Sequence, residues 1–191
     1  MYHTPMRIST SIRLAVLCLA ALGLFSLTAP AQAQTLPGEV VGLLNTGVYF
    51  VTGGSGRNAI GSTKFYNEGH FYTRPAHLGA LLLTGGVESM EASDHFLPFT
   101  GGNDYSLIGL SARLSTPHKI GRLQPYVSVG YFVGNLRSVD LDIDQTRIIP
   151  SASIGVDYPI SRILSLTASY RVSEHIAGIN TDGFGISLRL F

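Results

Sequence analysis

Three groups of residues carry side chains that could do chemistry. Ser173, Glu174 and His175 stand together. A serine hydroxyl becomes a nucleophile when a base lies within hydrogen-bond reach, and residues two apart on a strand share a face. Asp140, Asp142 and Asp144 alternate over a short stretch. Oxygen ligands at that spacing could hold Ca²⁺, but the stretch lacks the glycine and distant glutamate of a calcium loop. Solvated loop charge is the expected reading. The third group is dispersed: Lys64, Glu68, His70, Arg113, Asp157, Arg171 and Arg189. No phosphate-cradling glycine loop, zinc spacing or nucleophile elbow is present, so no cofactor and no metal is expected.

The elements that would position these groups read as strands. Ile163 to Ser173 sets the pattern, with Leu164, Leu166, Ala168, Tyr170 and Val172 on one face and Ser165, Thr167, Ser169, Arg171 and Ser173 on the other. A period of two over that length is a strand with one apolar and one polar face. The same alternation places Lys64, Tyr66, Glu68, His70 and Tyr72 together, and Ser111, Arg113 and Ser115 opposite Ile108, Leu110, Ala112 and Leu114. It also sets Asp157 against Val156 and Tyr158, and Arg189 against Leu188 and Leu190. Other strands are expected over Glu39–Thr52, His77–Val87 and Leu123–Asn135. The phase of Glu39–Thr52 and of His77–Val87 stays open.

Arg7 and Arg13 precede an apolar run from Leu14 to Leu27, followed by Ala31-Gln32-Ala33. A charged start, a short apolar core and a small-x-small site predict a secretory signal peptide over 1–33. The run is shorter than the roughly 20 residues a spanning helix needs. Cys18 is the single cysteine and would leave with the signal, so the mature chain 34–191 uses neither disulfides nor thiolates. A net charge of +1 and the lack of a Lys/Arg cluster exclude nucleic acid as an expected partner.

Eight such strands are expected, an even number, each near the length that crosses a tilted membrane. Short connections follow strands two, four and six. Longer polar ones cover Gly53–Gly61, Glu88–Asn103, Leu136–Gln145 and Glu174–Thr181. The expected fold is all-β: one eight-stranded antiparallel up-and-down transmembrane β-barrel after a cleaved signal peptide. A soluble barrel would turn the apolar face inward, and periodicity alone does not say which face is inside.

Leu123-Gln124-Pro125-Tyr126-Val127-Ser128-Val129-Gly130 resembles the L-x-P-Y-V-x-x-G strand of small bacterial outer-membrane β-barrels, the OmpA/OmpX-like group. Val156-Asp157-Tyr158 through Leu164-Ser165-Leu166 to Tyr170-Arg171 is similar to that group's penultimate hairpin, and Phe191 to its C-terminal aromatic. The resemblance implies residence in the outer membrane, contact with its lipid, and Phe191 as an address for the barrel-assembly machinery. Apolar residues at 184, 186, 188 and 190 leave Phe191 out of phase, so either the strand bulges at its end or the signal is atypical.

The resemblance also implies a barrel that anchors surface loops for adhesion, envelope integrity or an extracellular ligand, without catalysis. Two alternatives stand beside it. Some outer-membrane barrels of this size are lipid A deacylases with a His-x-Ser-Asn pattern at a strand end. Here His175 is present, Ala177 takes the serine's place and Asn180 comes later. The other alternative is a small-solute pore through the charged lumen. An eight-stranded bore is just wide enough for its own side chains, so a plug of paired charges is the expected reading.

Overall fold

The computed structural model describes residues 41–73, 75–95, 102–116, 122–161 and 163–190. The expected signal segment, the expected mature start at 34 and Phe191 lie outside the described residues. The elements in chain order are β1 (Val41–Val51), α1 (Gly54–Ile60), β2 (Thr63–Tyr72), β3 (Ala76–Leu78) and β4 (Leu81–Ser93). There follow β5 (Asn103–Ser115), β6 (Gln124–Ser138), β7 (Ile143–Pro159), β8 (Leu164–Ser173) and β9 (Gly183–Leu190). All pairings are antiparallel. Sheet order is β2-β1-β9-β8-β7-β6-β5-β4, and pairing of β2 with β4 closes it into an eight-stranded up-and-down barrel.

The faces are inverted relative to a soluble barrel. On β9, Gly183, Gly185, Ser187 and Arg189 are buried while Phe184, Ile186, Leu188 and Leu190 are exposed. Leu110, Tyr131 and Ile148 are about as exposed, at 70%, 69% and 70%. Charged side chains fill the inside instead, with Arg189 only 2% exposed. In water this arrangement would strand a continuous apolar belt in solvent. In a bilayer the belt meets hydrocarbon and closure satisfies every strand edge within the bilayer. No described helix is long and apolar enough to cross a membrane.

Several expected boundaries shift. The strand expected over His77–Val87 is broken by a hairpin turn at Gly79-Ala80, where Gly79 adopts φ 61°. Pairing with β4 runs Tyr72↔Gly86 and then Ala76↔Leu83, so β3 continues β2 after a slip of one residue. The short connection expected after the second strand is thus a break in the ladder within one edge, and Pro75, which has no N–H to donate, sits beside it. Gly53–Gly61 is not a simple loop, because α1 occupies most of it. Glu88–Asn103 is not wholly a loop, because β4 runs through Ser93. Leu136–Gln145 is mostly strand, leaving only residues 139–142 as a turn. The expected rule of long connections at one end therefore fails at β6–β7.

The β6–β7 hairpin runs on past the end of β8. β8 stops at Ser173 opposite Ser151, and Glu174 N donates to Pro150 O at 3.1 Å. Beyond that point Ile143–Ile149 pairs only with β6 among the described residues. Asn135 Nδ2 donates to Thr146 Oγ1 at 3.0 Å and zips the hairpin.

Candidate functional site

The barrel axis carries one connected polar network, built from residues far apart in sequence. Asp157 on β7 is its first node. Its Oδ2 accepts from Arg113 on β5 and from Arg189 on β9, both at 2.5 Å, and its Oδ1 accepts from Thr167 on β8 at 2.9 Å. Arg113 also lies 3.6 Å from the ring centre of Tyr126, a cation–π contact. Arg189 Nε donates to Asn45 Oδ1 at 2.9 Å, and Asn45 Nδ2 donates to Glu68 Oε2 at 2.7 Å. A single amide on β1 thus joins two charge clusters.

Arg171 on β8 is the second node. It donates to Glu68 Oε1 on β2 at 2.8 Å and to Glu88 Oε1 on β4. Ser128 on β6 donates to Glu88 Oε2 at 3.4 Å. Glu68, Glu88, Asp157, Arg113, Arg171 and Arg189 are each 7% exposed or less. Three carboxylates thereby face three guanidiniums, and all eight long strands contribute a member. Charges taken out of water at this depth must be paired, because each unpaired ion costs several kcal/mol.

His70 sits at the edge of the second cluster. Its Nε2 lies 3.1 Å from Glu68 Oε2, and its Nδ1 lies 2.7 Å from Tyr72 Oη. Lys64 is separate. It reaches toward the other end of the barrel, where it pairs with Asp94 and donates to Asn103 O at 2.9 Å. The structure therefore groups Glu68, His70, Arg113, Asp157, Arg171 and Arg189, and leaves Lys64 at the rim.

Above the charges the lumen turns apolar. Tyr49, Tyr66, Leu107, Phe132, Leu136 and Ile149 form a buried cluster. Ala59 and Ile60 of α1 and Ile176 and Ile179 of the β8–β9 connection close it from the mouth. Tyr49 stacks on Tyr66 at 5.7 Å and donates to Thr181 O at 3.0 Å. Two glycines permit this closure. A Cβ on Gly56 would lie 2.1 Å from Asn180 O, and one on Gly183 would lie 2.3 Å from the Tyr49 ring. Ser138 Oγ donates to Ala59 O at 2.5 Å and pins the helix. The charge network and this cluster together line the described lumen with buried side chains.

The other candidate residues do not assemble. Ser173 is buried with its Oγ 2.9 Å from Ser151 Oγ, and its backbone N–H donates to Asp182 Oδ1. Glu174 pairs with the exposed Arg147 at 3.2 Å. His175 forms no hydrogen bond among the described residues, so no hydroxyl–base pair exists there. Asp140 accepts from Asn103 and Asp144 from Asn135, and Asp142 lies in a turn with φ 52°. Among the described residues the one group of three potential metal-ligating side chains is Glu68, His70 and Glu88.

Sequence reasoning missed Asn45 and Glu88. β1 shows mixed faces, and Glu88 falls where a loop was expected. Its place opposite His70 on β4 follows only from the strand register.

No curated protein matches the chain. Three solved structures are similar in fold. Neisserial surface protein A shares 13% identity over 78% of this chain and 94% of its own, with TM-score 0.44. A de novo designed transmembrane β-barrel shares 19% over 83% and 100%, at 0.43. The outer-membrane protein Ail of Yersinia pestis shares 11% over 80% and 99%, at 0.43. The model of the outer membrane protein beta-barrel domain matches residues 17–190, nearly the whole chain, and the protein belongs to that family of bacterial outer-membrane barrels.

Proposed function

We propose that the protein is a non-catalytic outer-membrane barrel whose working surface is the end carrying α1 and the β6–β7 hairpin. The lumen network and the apolar cluster above it serve as an internal brace. The observation that carries this reading is a lumen lined with buried, mutually bonded side chains beneath a hairpin that runs on past β8. A filled bore leaves no room for a solute path, and the hairpin offers what a binding surface needs. Val139 and Leu141 are exposed at its tip, and among the described residues Ile143–Ile149 pairs along one edge only. A free edge accepts an extended segment of another protein by strand addition. In the outer membrane this end would face outward, because it carries α1 and the long β8–β9 connection, and longer loops lie outside. A signal peptide cleaved after Ala33 and recognition of Phe191 by the assembly machinery complete the proposal.

Cells bearing this protein, compared with cells bearing a version whose residues 139–142 are Gly-Ser-Gly-Ser, test the surface role. Binding to host-cell or matrix-coated surfaces is expected to fall to the level of cells without the protein, while heat-modifiable gel migration stays normal. Undiminished binding, or no binding by the parent strain, would sink the reading.

Lipid A from the same parent and deletion strains is expected to have one and the same mass spectrum, since Ser173 and His175 form no pair. Loss of an acyl chain that depends on His175 would instead make the protein an enzyme.

A further inference from the structure

We propose that Glu68, His70 and Glu88 form a binding site for one divalent transition-metal ion inside the barrel. The three residues come from two neighbouring strands, with His70 directly opposite Glu88 in register. One ligand atom from each lies within 4.8 Å of the others, and all three side chains are buried. His70 Nε2 is 3.1 Å from Glu68 Oε2, and His70 Nδ1 is 3.8 Å from Glu88 Oε2. Imidazole nitrogen with carboxylate oxygen suits Zn²⁺ and its neighbours better than Ca²⁺ or Mg²⁺.

Neighbouring side chains fix all three groups, as metal sites require of their outer partners. Arg171 takes the Oε1 atoms of both glutamates and leaves both Oε2 atoms on the side of His70. Tyr72 Oη lies 2.7 Å from His70 Nδ1, so the ion would take Nε2, displacing the Asn45 amide that lies 3.5 Å from it. Asn45 fixes Glu68 Oε2 and Ser128 touches Glu88 Oε2. Arg171 faces both carboxylates, so one guanidinium charge stands against two carboxylate charges here. The excess positive charge of the network sits around Asp157, beyond Asn45. The apolar cluster seals the mouth above, so the ion would enter as the barrel closes during folding.

The test uses the mature chain, unfolded in denaturant with chelator and refolded in detergent with excess Zn²⁺. Folded protein is isolated, dialysed and assayed for metal. About one Zn²⁺ per folded chain is expected, falling at least about tenfold in His70→Asn and in Glu88→Gln. Less than about a tenth of an ion per folded chain would overturn the proposal and leave His70 as a polar lumen residue. So would full retention in both variants, which would place the ion on surface histidines.

If the variants do not fold, X-ray absorption on the loaded wild type decides. One imidazole nitrogen with oxygen neighbours at about 2.0–2.2 Å supports the site. Two or more imidazoles, or oxygen alone, refutes it.

Discussion

Asp157→Ala is expected to destabilise the barrel by about 3–5 kcal/mol, the usual result of removing one partner from a buried charge pair. Among the described residues Asp157 is the sole carboxylate bonded to both Arg113 and Arg189, and its side chain is 8% exposed. Alanine leaves two guanidiniums facing one another in the lumen with no anion between them. It also frees Thr167 Oγ1, which donates to Asp157. The effect should exceed that of any single lipid-face truncation, because an apolar side chain facing hydrocarbon loses little on shortening. Asp157→Asn keeps a hydrogen-bonding oxygen but no charge and should fall between the two. Urea unfolding in detergent, followed by the shift in gel mobility between folded and unfolded forms, measures all three. Equal midpoints for wild type and Asp157→Ala would show that the network does not brace the barrel.

Arg171→Met is expected to cost a similar amount, about 3–5 kcal/mol, for the mirror-image reason. The methionine fills much of the volume but leaves Glu68 and Glu88 without the guanidinium that joins them. Two buried carboxylates then repel across β2 and β4, next to the seam that closes the barrel. The identity of the cause is testable by a double-mutant cycle. Adding Glu88→Gln removes one of the two stranded charges. Arg171→Met should therefore cost about 0.5–3 kcal/mol less in that background. Full additivity would mean that Arg171 acts through packing, for instance against Phe132, which it approaches at 5.7 Å.

Much of this architecture is legible in the sequence, for a physical reason. On β8 and β9 each face meets one solvent, lipid outside and a polar lumen inside, so alternation is clean and the phase is plain. The buried Lys64, Glu68, Arg113, Asp157, Arg171 and Arg189 all lie on the face the alternation assigns them. The rule fails where the lumen itself changes character. On β1 the inward positions run from Asn45 to Tyr49 and Val51, polar at one end and apolar at the other. On β4 they run from Glu88 to Met90 and Ala92. A polar-in, apolar-out reading cannot fix the phase of such strands, and with it go two members of the network.

The helix α1 is hidden for another reason. Gly53 and Gly56 read as flexibility, yet they are places where the Asn180 backbone comes too close for a side chain. The candidate site is harder still, since its pairs are separated by as many as 144 residues in sequence, as between Arg189 and Asn45. Alternation places each charge inside the barrel. Only the register of all eight strands says which charges meet.

The central claim is that the lumen is a filled brace and that the protein works from its loop end. Single-channel recording with the refolded full barrel in planar lipid bilayers tests it most directly. The account predicts a membrane that stays at its baseline conductance after verified insertion. Reproducible ohmic steps, altered by Asp157→Asn, would show that the network lines an ion path and would contradict it.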